Sequence, residues 1–287
     1  MINKVSFRSA IEQQNRRTDF VVLPFYKNGI PLDSDYEFHA RWGMSLLSAG
    51  NMRFRLNETN KNRELFFSSV LSREKNKEKT FVSVELLHSK IVFDIHSVFD
   101  FKNLNLKGDG IITKNKDLIP TVTVADCVPI FLYDFQIGVF GICHSGWKGT
   151  GIIKEAINLM QKNYGSCPEN ICVALGPHIN QCCYDIDDER AAFFRKNFGN
   201  CVSQTRNEQG KNINKLSLTD ANLFLLRDCG IPEENIVAAT DCTCCAGFEN
   251  KPIFGSFRRE SSELPAETPF AVKSKKMTAQ LAFVISE

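Results

Sequence analysis

The chain has 287 residues, 43% of them apolar and 24% charged, which suits a protein with a substantial buried core and excludes disorder. Lys and Arg number 35 against 33 Asp and Glu, a net charge of +2, so a polybasic nucleic-acid surface is excluded and a charged ligand must be held by local groups. The start MINKVSFRSA lacks the apolar core of a secretory signal, and the most apolar stretch, 121–143, is interrupted by Asp126, Asp134 and Gln136; a soluble, cytoplasmic protein without membrane contact is expected.

In chain order, Leu65, Phe66, Val70 and Leu71 recur at helical spacing and predict a helix over 61–71. The polar run 73–79 has nearly balanced charge and reads as a solvated loop. Val82, Val84 and Leu86 alternate as in a half-buried strand that ends at His88. Strands follow over 110–113, over 121–133 with an interruption around Cys127, and over 137–143; the Gly-Asp-Gly at 108–110 and residues 134–136 supply turns. Thr150 caps a helix whose apolar stripe is Ile152, Ile153, Ala156, Ile157 and Met160, and Gly165 ends it. A strand at 171–175, helices at 188–197 and 218–229, and strands at 235–239 and 253–258 complete the reading. Helices and strands alternate without a regular βαβ rhythm, so a mixed α/β fold with helix-covered mixed sheets is expected, as one domain over 1–287.

Eleven cysteines, an odd number that includes the run CTCC, read as thiols in a reducing compartment rather than as a disulfide framework. Three metal-ligand types fall at strand ends: His88, Cys127 and His144. Two imidazoles and a thiolate make a three-ligand set for Zn²⁺ with an open fourth position, but the ligands are widely separated and lack metal-finger spacing, so the spacing alone fits two polar histidines and a buried cysteine better. The sequence HSGWKGTG joins a strand to a helix, where backbone N–H groups, the helix dipole and Lys148 favour an anion. It lacks the phosphate-loop ending GK[ST] and so also fits a tight strand-to-helix connection.

The segments TVTVADCVPIFLYD, GVFGICHSGWKGTG, LGPHINQCCYDI, LTDAN, CTCC and FGSFRR resemble the YfiH/LACC1 family of laccase-domain proteins, once called multicopper polyphenol oxidases and now associated with purine nucleoside phosphorolysis and adenosine deamination. The resemblance runs from about Phe38 to Arg259. It implies a CNF1/YfiH-like layered α/β/β/α sandwich with mixed sheets, and it places the metal-binding and catalytic triad on His88, Cys127 and His144. It makes Arg41 of HARWG and Lys148 of HSGWKG candidate phosphate ligands. Asp126, beside Cys127, becomes either an orienter of the ligand or a proton carrier. The family commonly has Gln two residues before its first His, whereas the residues before His88 are Glu85, Leu86 and Leu87. The tail ESSELPAETP replaces a Gly-rich ending, which puts tail contacts to substrate in question. Cys182 and Cys183 fit the family's CCY, and Cys242 and Cys244 its CTxC. Because vicinal cysteines point in different directions, no second metal site is expected. His178 reads as loop-exposed, and His39 and His96 have no assigned partner.

The resemblance implies a zinc-dependent purine nucleoside phosphorylase that cleaves adenosine or inosine, and by extension methylthioadenosine, with an adenosine deaminase activity alongside. Its partners would be purine nucleosides and phosphate, with no nucleic acid, membrane or protein partner. Copper is the alternative metal. The competing readings are a metal-free Cys–His hydrolase or amidase built on Cys127, a copper polyphenol oxidase, for which five histidines are few, and a non-enzymatic binding protein.

Overall fold

The computed structural model describes residues 1–14, 18–32, 39–72, 78–102, 106–206, 209–265 and 267–286. Phe38 and the core of the polar run, 73–77, lie outside them. The central element is a seven-stranded mixed sheet in the order Asn3–Val5, Ile236–Ala239, Ile171–Leu175, Val128–Asp134, Phe140–Ser145, Gly110–Thr113, Val92–Asp94. A five-stranded sheet, Phe20–Pro24, Ala40–Ser45, Gln280–Ser286, Leu118–Val124, Thr80–Ser83, packs on one face of it.

Period-two alternation explains the layering, because successive side chains of a strand enter different cores. Along Val128–Asp134, Phe131 and Tyr133 point between the sheets, where Phe131 lies 5.0 Å from the Trp42 ring, while Ile130 and Leu132 join the core beneath the helices Ile152–Tyr164 and Leu218–Asp228. Along Gln280–Ser286, Ala282 and Val284 face the inter-sheet core, and Leu281, Phe283 and Ile285 pack with Phe66 and Val70 of the helix Lys61–Leu71. The result is helix, sheet, sheet, helix, the expected α/β/β/α arrangement. The inner strands Leu118–Val124, Val128–Asp134, Phe140–Ser145, Ile171–Leu175 and Gln280–Ser286 are buried on both faces, which is why they read as continuous apolar runs, whereas the edge strand Thr80–Ser83 buries only Val82.

The helices Lys61–Leu71 and Asp188–Asn197 and the strands Gly110–Thr113 and Ile171–Leu175 fall where the periodicity puts them. Four differences have local causes. The strand expected over 137–143 is Phe140–Ser145, because Asp134 Oδ1 accepts the N–H groups of Gln136 and Ile137 and prolongs the turn. Thr150 is not the cap of the next helix: its hydroxyl donates to the Gly146 carbonyl at 2.6 Å, and Gly151, at φ 109°, precedes the first helical residue. The strand expected over 253–258 is not formed: residues 253–256 are bend and irregular backbone after the short strand Lys251–Pro252, and the Ser256 hydroxyl accepts Arg259 N–H while Glu260 accepts Ser256 N–H, a reciprocal cap that starts the helix Phe257–Ser262. His178 is fully buried rather than loop-exposed; its Nδ1 donates to the Gly176 carbonyl at 2.7 Å and its Nε2 accepts from Thr219. No helix among the described residues is long and apolar enough to cross a membrane.

Candidate metal centre and cavity

His88, Cys127 and His144 converge. Their donor atoms all lie within 4.8 Å of one another, and the two imidazole rings meet edge to face with centroids 4.8 Å apart. Each comes from a different piece of backbone. His144 is the penultimate residue of a buried strand, Cys127 is the last residue of the tight turn between Leu118–Val124 and Val128–Asp134, and His88 sits in a turn at φ 58°, a conformation that a non-glycine residue holds only when its surroundings fix it.

The fixing group is Asp109, which the sequence offers only as the middle of a Gly-Asp-Gly turn. Its carboxylate is fully buried and accepts the backbone N–H groups of Leu87, His88 and Ser89, the Ser89 hydroxyl and His144 Nδ1, the last at 2.9 Å. One side chain therefore sets both the His88 turn and the His144 ring. With Nδ1–H donated to Asp109, His144 has Nε2 left for Cys127 or a metal. Burial pushes the Asp109 carboxyl up, but the hydrogen bonds from His144 and Ser89 outweigh it and hold the group below the usual carboxylate value.

The same balance activates Cys127. Burial alone would push its thiol up; the neighbouring charge of His144, and hydrogen bonds from His144 and His88, bring it down to about 6. His144 moves the opposite way, to about 10, because the Cys127 thiolate and Asp109 outweigh the burial that would lower it. In the absence of metal the two shifts favour a thiolate beside an imidazolium. Gly146 is required by this packing, since a Cβ there would stand 2.5 Å from Cys127 Sγ. A soft thiolate, two imidazoles, close donor spacing and a carboxylate behind one imidazole fit a zinc ion with its fourth position open.

The open side faces a cavity of about 260 Å³, close to the lower end of the roughly 300–1,000 Å³ of small-molecule sites. Its lining combines apolar walls, including Leu86, Val124, Phe257 and Phe270, with the guanidinium-bearing Arg53, Arg55, Arg190 and Arg258. The divergent tail is part of this wall: the Phe257 and Phe270 rings lie 5.5 Å apart, and Ser274 and Met277 also line the cavity. Arg190 stacks over the Trp147 ring at 4.0 Å, and its Nε is buried without a hydrogen-bond partner among the described residues. Arg258 lies over the Tyr184 ring and donates to the Asp185 carbonyl. Arg55 is paired with Glu85 at 3.0 Å.

The structure does not bring the two expected phosphate ligands into this lining. Arg41 lies in Ala40–Ser45, in register with Pro24 and Ile285, whereas the end of Gln280–Ser286 nearest the cavity is Gln280, opposite Val124. Lys148 is exposed, its Nζ 5.8 Å from the Trp147 ring. Asp126 is adjacent to Cys127, but its carboxylate turns away to accept the Thr243 hydroxyl and Arg258 N–H, both at 2.7 Å. It anchors the cavity wall, and Asp109 is the residue that orients a ligand. No sequence periodicity singles out Arg53 or Arg190; they reach the cavity from segments distant from the triad.

The family model of the multi-copper polyphenol oxidoreductase laccase matches residues 46–264, and the chain belongs to this family. A purine nucleoside phosphorylase, YlmD, of Bacillus subtilis is 33% identical over 158 residues, 54% of this chain and 55% of that protein. A purine nucleoside phosphorylase of Clostridium acetobutylicum is 30% identical over 65% of this chain and 74% of its own length. An adenosine deaminase, RL5, of an unknown prokaryotic organism is 33% identical over 48% of this chain and 53% of its own length. The chain thus spans about half the length of the first of these relatives. The fold matches the crystal structure of YlmD from Geobacillus stearothermophilus with a TM-score of 0.68, covering 88% of this chain and 97% of that one at 22% identity. The relatives support an enzyme.

Proposed function

We propose that the protein is a zinc-dependent purine nucleoside phosphorylase acting on adenosine or inosine, methylthioadenosine included, with adenosine deamination as a second activity of the same site. The observation that carries this reading is one three-ligand metal site opening on a cavity that holds both apolar walls and guanidinium groups. His88, Cys127 and His144 would hold the ion, which when bound supplies Lewis acidity and a water of lowered pKa.

The remaining roles belong to the chain. The walls formed by Leu86, Val124, Phe257 and Phe270 take the purine, and the guanidinium groups of Arg190 and Arg258 bind phosphate, for which paired N–H donors are suited. Arg53 lines the same space, and Lys148, exposed beside the Trp147 ring on which Arg190 stacks, adds attraction for the incoming anion. A phosphate oxygen attacks C1′ of the ribose, the C1′–N9 bond breaks with its electron pair going to the purine, and the proton carried by hydrogen phosphate ends on the departing base. Holding the two reactants in line is the chain's main contribution. Asp109 keeps His144 in one tautomer throughout.

A second reading, a metal-free Cys–His hydrolase, is favoured by the low Cys127 thiol value and its His144 partner. A multinuclear copper centre has little support, because the five histidines of the chain include His178, which is buried on Gly176 and Thr219, and His96, which lies beside Asp94 and Tyr164. Product analysis distinguishes the three. Adenosine with phosphate should give adenine and ribose 1-phosphate, with inosine or hypoxanthine where deamination occurs, and chelation should abolish turnover. Phosphate-independent oxidation of a phenol without nucleoside cleavage, or activity that survives metal removal, would overturn the proposal.

A further inference from the structure

The second concentration of metal-ligating side chains lies outside the cavity. Cys182, Cys183, Cys242 and Cys245 place their sulfurs within 4.8 Å of one another, although they come from segments about sixty residues apart. Vicinal cysteines do not prevent this, because the turn at 181–183 brings both thiols onto the CTCC loop. The members of that loop recruited are Cys242 and Cys245; Cys244 is not among the four.

Two of the separations match those of a metal tetrathiolate, and the others lie within 4.8 Å. Cys182 Sγ is 3.7 Å from Cys183 Sγ and 3.8 Å from Cys245 Sγ. Four sulfurs at about 2.3 Å from a tetrahedral zinc lie about 3.8 Å from each other. Disulfide sulfurs would be about 2.05 Å apart, so these thiols are spaced for a shared ion rather than for a bond. The loop has the matching shape. Cys242 and Cys245 stand in C-x-x-C spacing, and the backbone N–H groups of Asn180, Cys244 and Cys245 are directed at Cys242 Sγ, the first at 3.3 Å. Such N–H donors stabilise a thiolate that carries negative charge; Lys215 Nζ, paired with Asp185 at 2.6 Å, also donates to the Cys182 carbonyl at 3.1 Å and ties down that turn. Cys182 and Cys245 are exposed, which gives an ion a way in.

We propose that Cys182, Cys183, Cys242 and Cys245 form a second metal site, a closed four-thiolate zinc site of structural character. Four protein ligands leave no position for substrate, so its work is to join two loops that frame the cavity. On one side it fixes Ile179 and Tyr184, both in the cavity lining. On the other it fixes Thr243, which holds Asp126, and the Thr243 and Cys244 carbonyls that accept from Arg259.

The test is metal counting in protein purified with reductant and zinc, then dialysed. Wild type should retain two equivalents, Cys127→Ala one, and Cys127→Ala combined with Cys182→Ser and Cys245→Ser none. The retained equivalent in Cys127→Ala separates this site from the triad, so failure of one does not imply failure of the other. Should the serine variant fail to fold, cobalt replacement in Cys127→Ala reads the site directly: intense tetrahedral thiolate bands in the visible support it. A zinc-free Cys127→Ala protein with its thiols reduced, weak octahedral cobalt bands, or a Cys182–Cys245 disulfide in the reductant-purified protein would overturn it.

Discussion

Replacing Asp109 with Asn tests whether one carboxylate organises the metal centre. The side chains are nearly isosteric, so the change exchanges an acceptor oxygen for a donor NH₂ with little disturbance of packing. Oδ1 accepts from His88 N–H and His144 Nδ1, and Oδ2 accepts from Leu87 N–H, Ser89 N–H and the Ser89 hydroxyl. Whichever position the amide nitrogen takes, it faces donors. Placed at Oδ2 it leaves the part-buried N–H groups of Leu87 and Ser89 unpaired, and with water able to reach them in part the loss is about 1–3 kcal/mol in all. Placed at Oδ1 it drives His144 toward the tautomer with its proton on Nε2, which removes the atom needed for metal. The expected outcome is therefore a denaturation midpoint shifted by that order of free energy and a metal affinity about 10- to 100-fold weaker in chelator competition. An Asn variant that binds zinc as tightly as wild type and loses less than about 0.5 kcal/mol would refute the assignment of Asp109, since that is the usual scatter of neutral surface changes.

Burial lowers the His178 imidazole to about 4 from its ordinary 6.5, so the fold favours the neutral ring. Its contribution is intact above pH 6.5 and is lost as pH falls through 4, about 3 kcal/mol in all; the difference in denaturation free energy between wild type and His178→Gln, followed across that window, should show this slope, and a flat difference would contradict it. Gly146→Ala places a methyl carbon 2.5 Å from Cys127 Sγ, so zinc binding should fall sharply at a stability cost of about 1–3 kcal/mol; full metal occupancy by mass spectrometry under native conditions would argue that the thiol has room to move. Arg190→Ala should raise the KM for phosphate at least tenfold with little effect on nucleoside KM, whereas Lys148→Ala should produce a smaller, salt-sensitive change, a ranking that steady-state kinetics at two ionic strengths can reverse.

Where the sequence was informative, the signal was local. The stripe Ile152, Ile153, Ala156, Ile157 and Met160 is one buried face, and Gly165 closes its helix in the left-handed conformation, so periodicity and turn chemistry were sufficient. The triad was legible because its residues occupy recognisable strand ends and family motifs. Asp109 was hidden because an Asp between two glycines is already explained as turn chemistry, and its burial depends on His144, 35 residues later. The cysteine cluster was hidden for a related reason: adjacency along the chain says little about a loop whose partner is supplied from 60 residues away. The strands Ala40–Ser45 and Gln280–Ser286 were missed because each is buried on both faces of the sheet by segments distant in sequence, and no alternating pattern marks them.

The place of Gln280–Ser286 in the five-stranded sheet has a consequence for biosynthesis. Ala40–Ser45 hydrogen-bonds to it on one side and Leu118–Val124 on the other, so two strands made early have no direct pairing with each other. Until residue 286 emerges from the ribosome, each exposes an unpaired edge and half of an apolar face. The sheet therefore closes after synthesis of this segment rather than during it, and the waiting edges are where a chaperone would bind or a neighbouring nascent chain would pair.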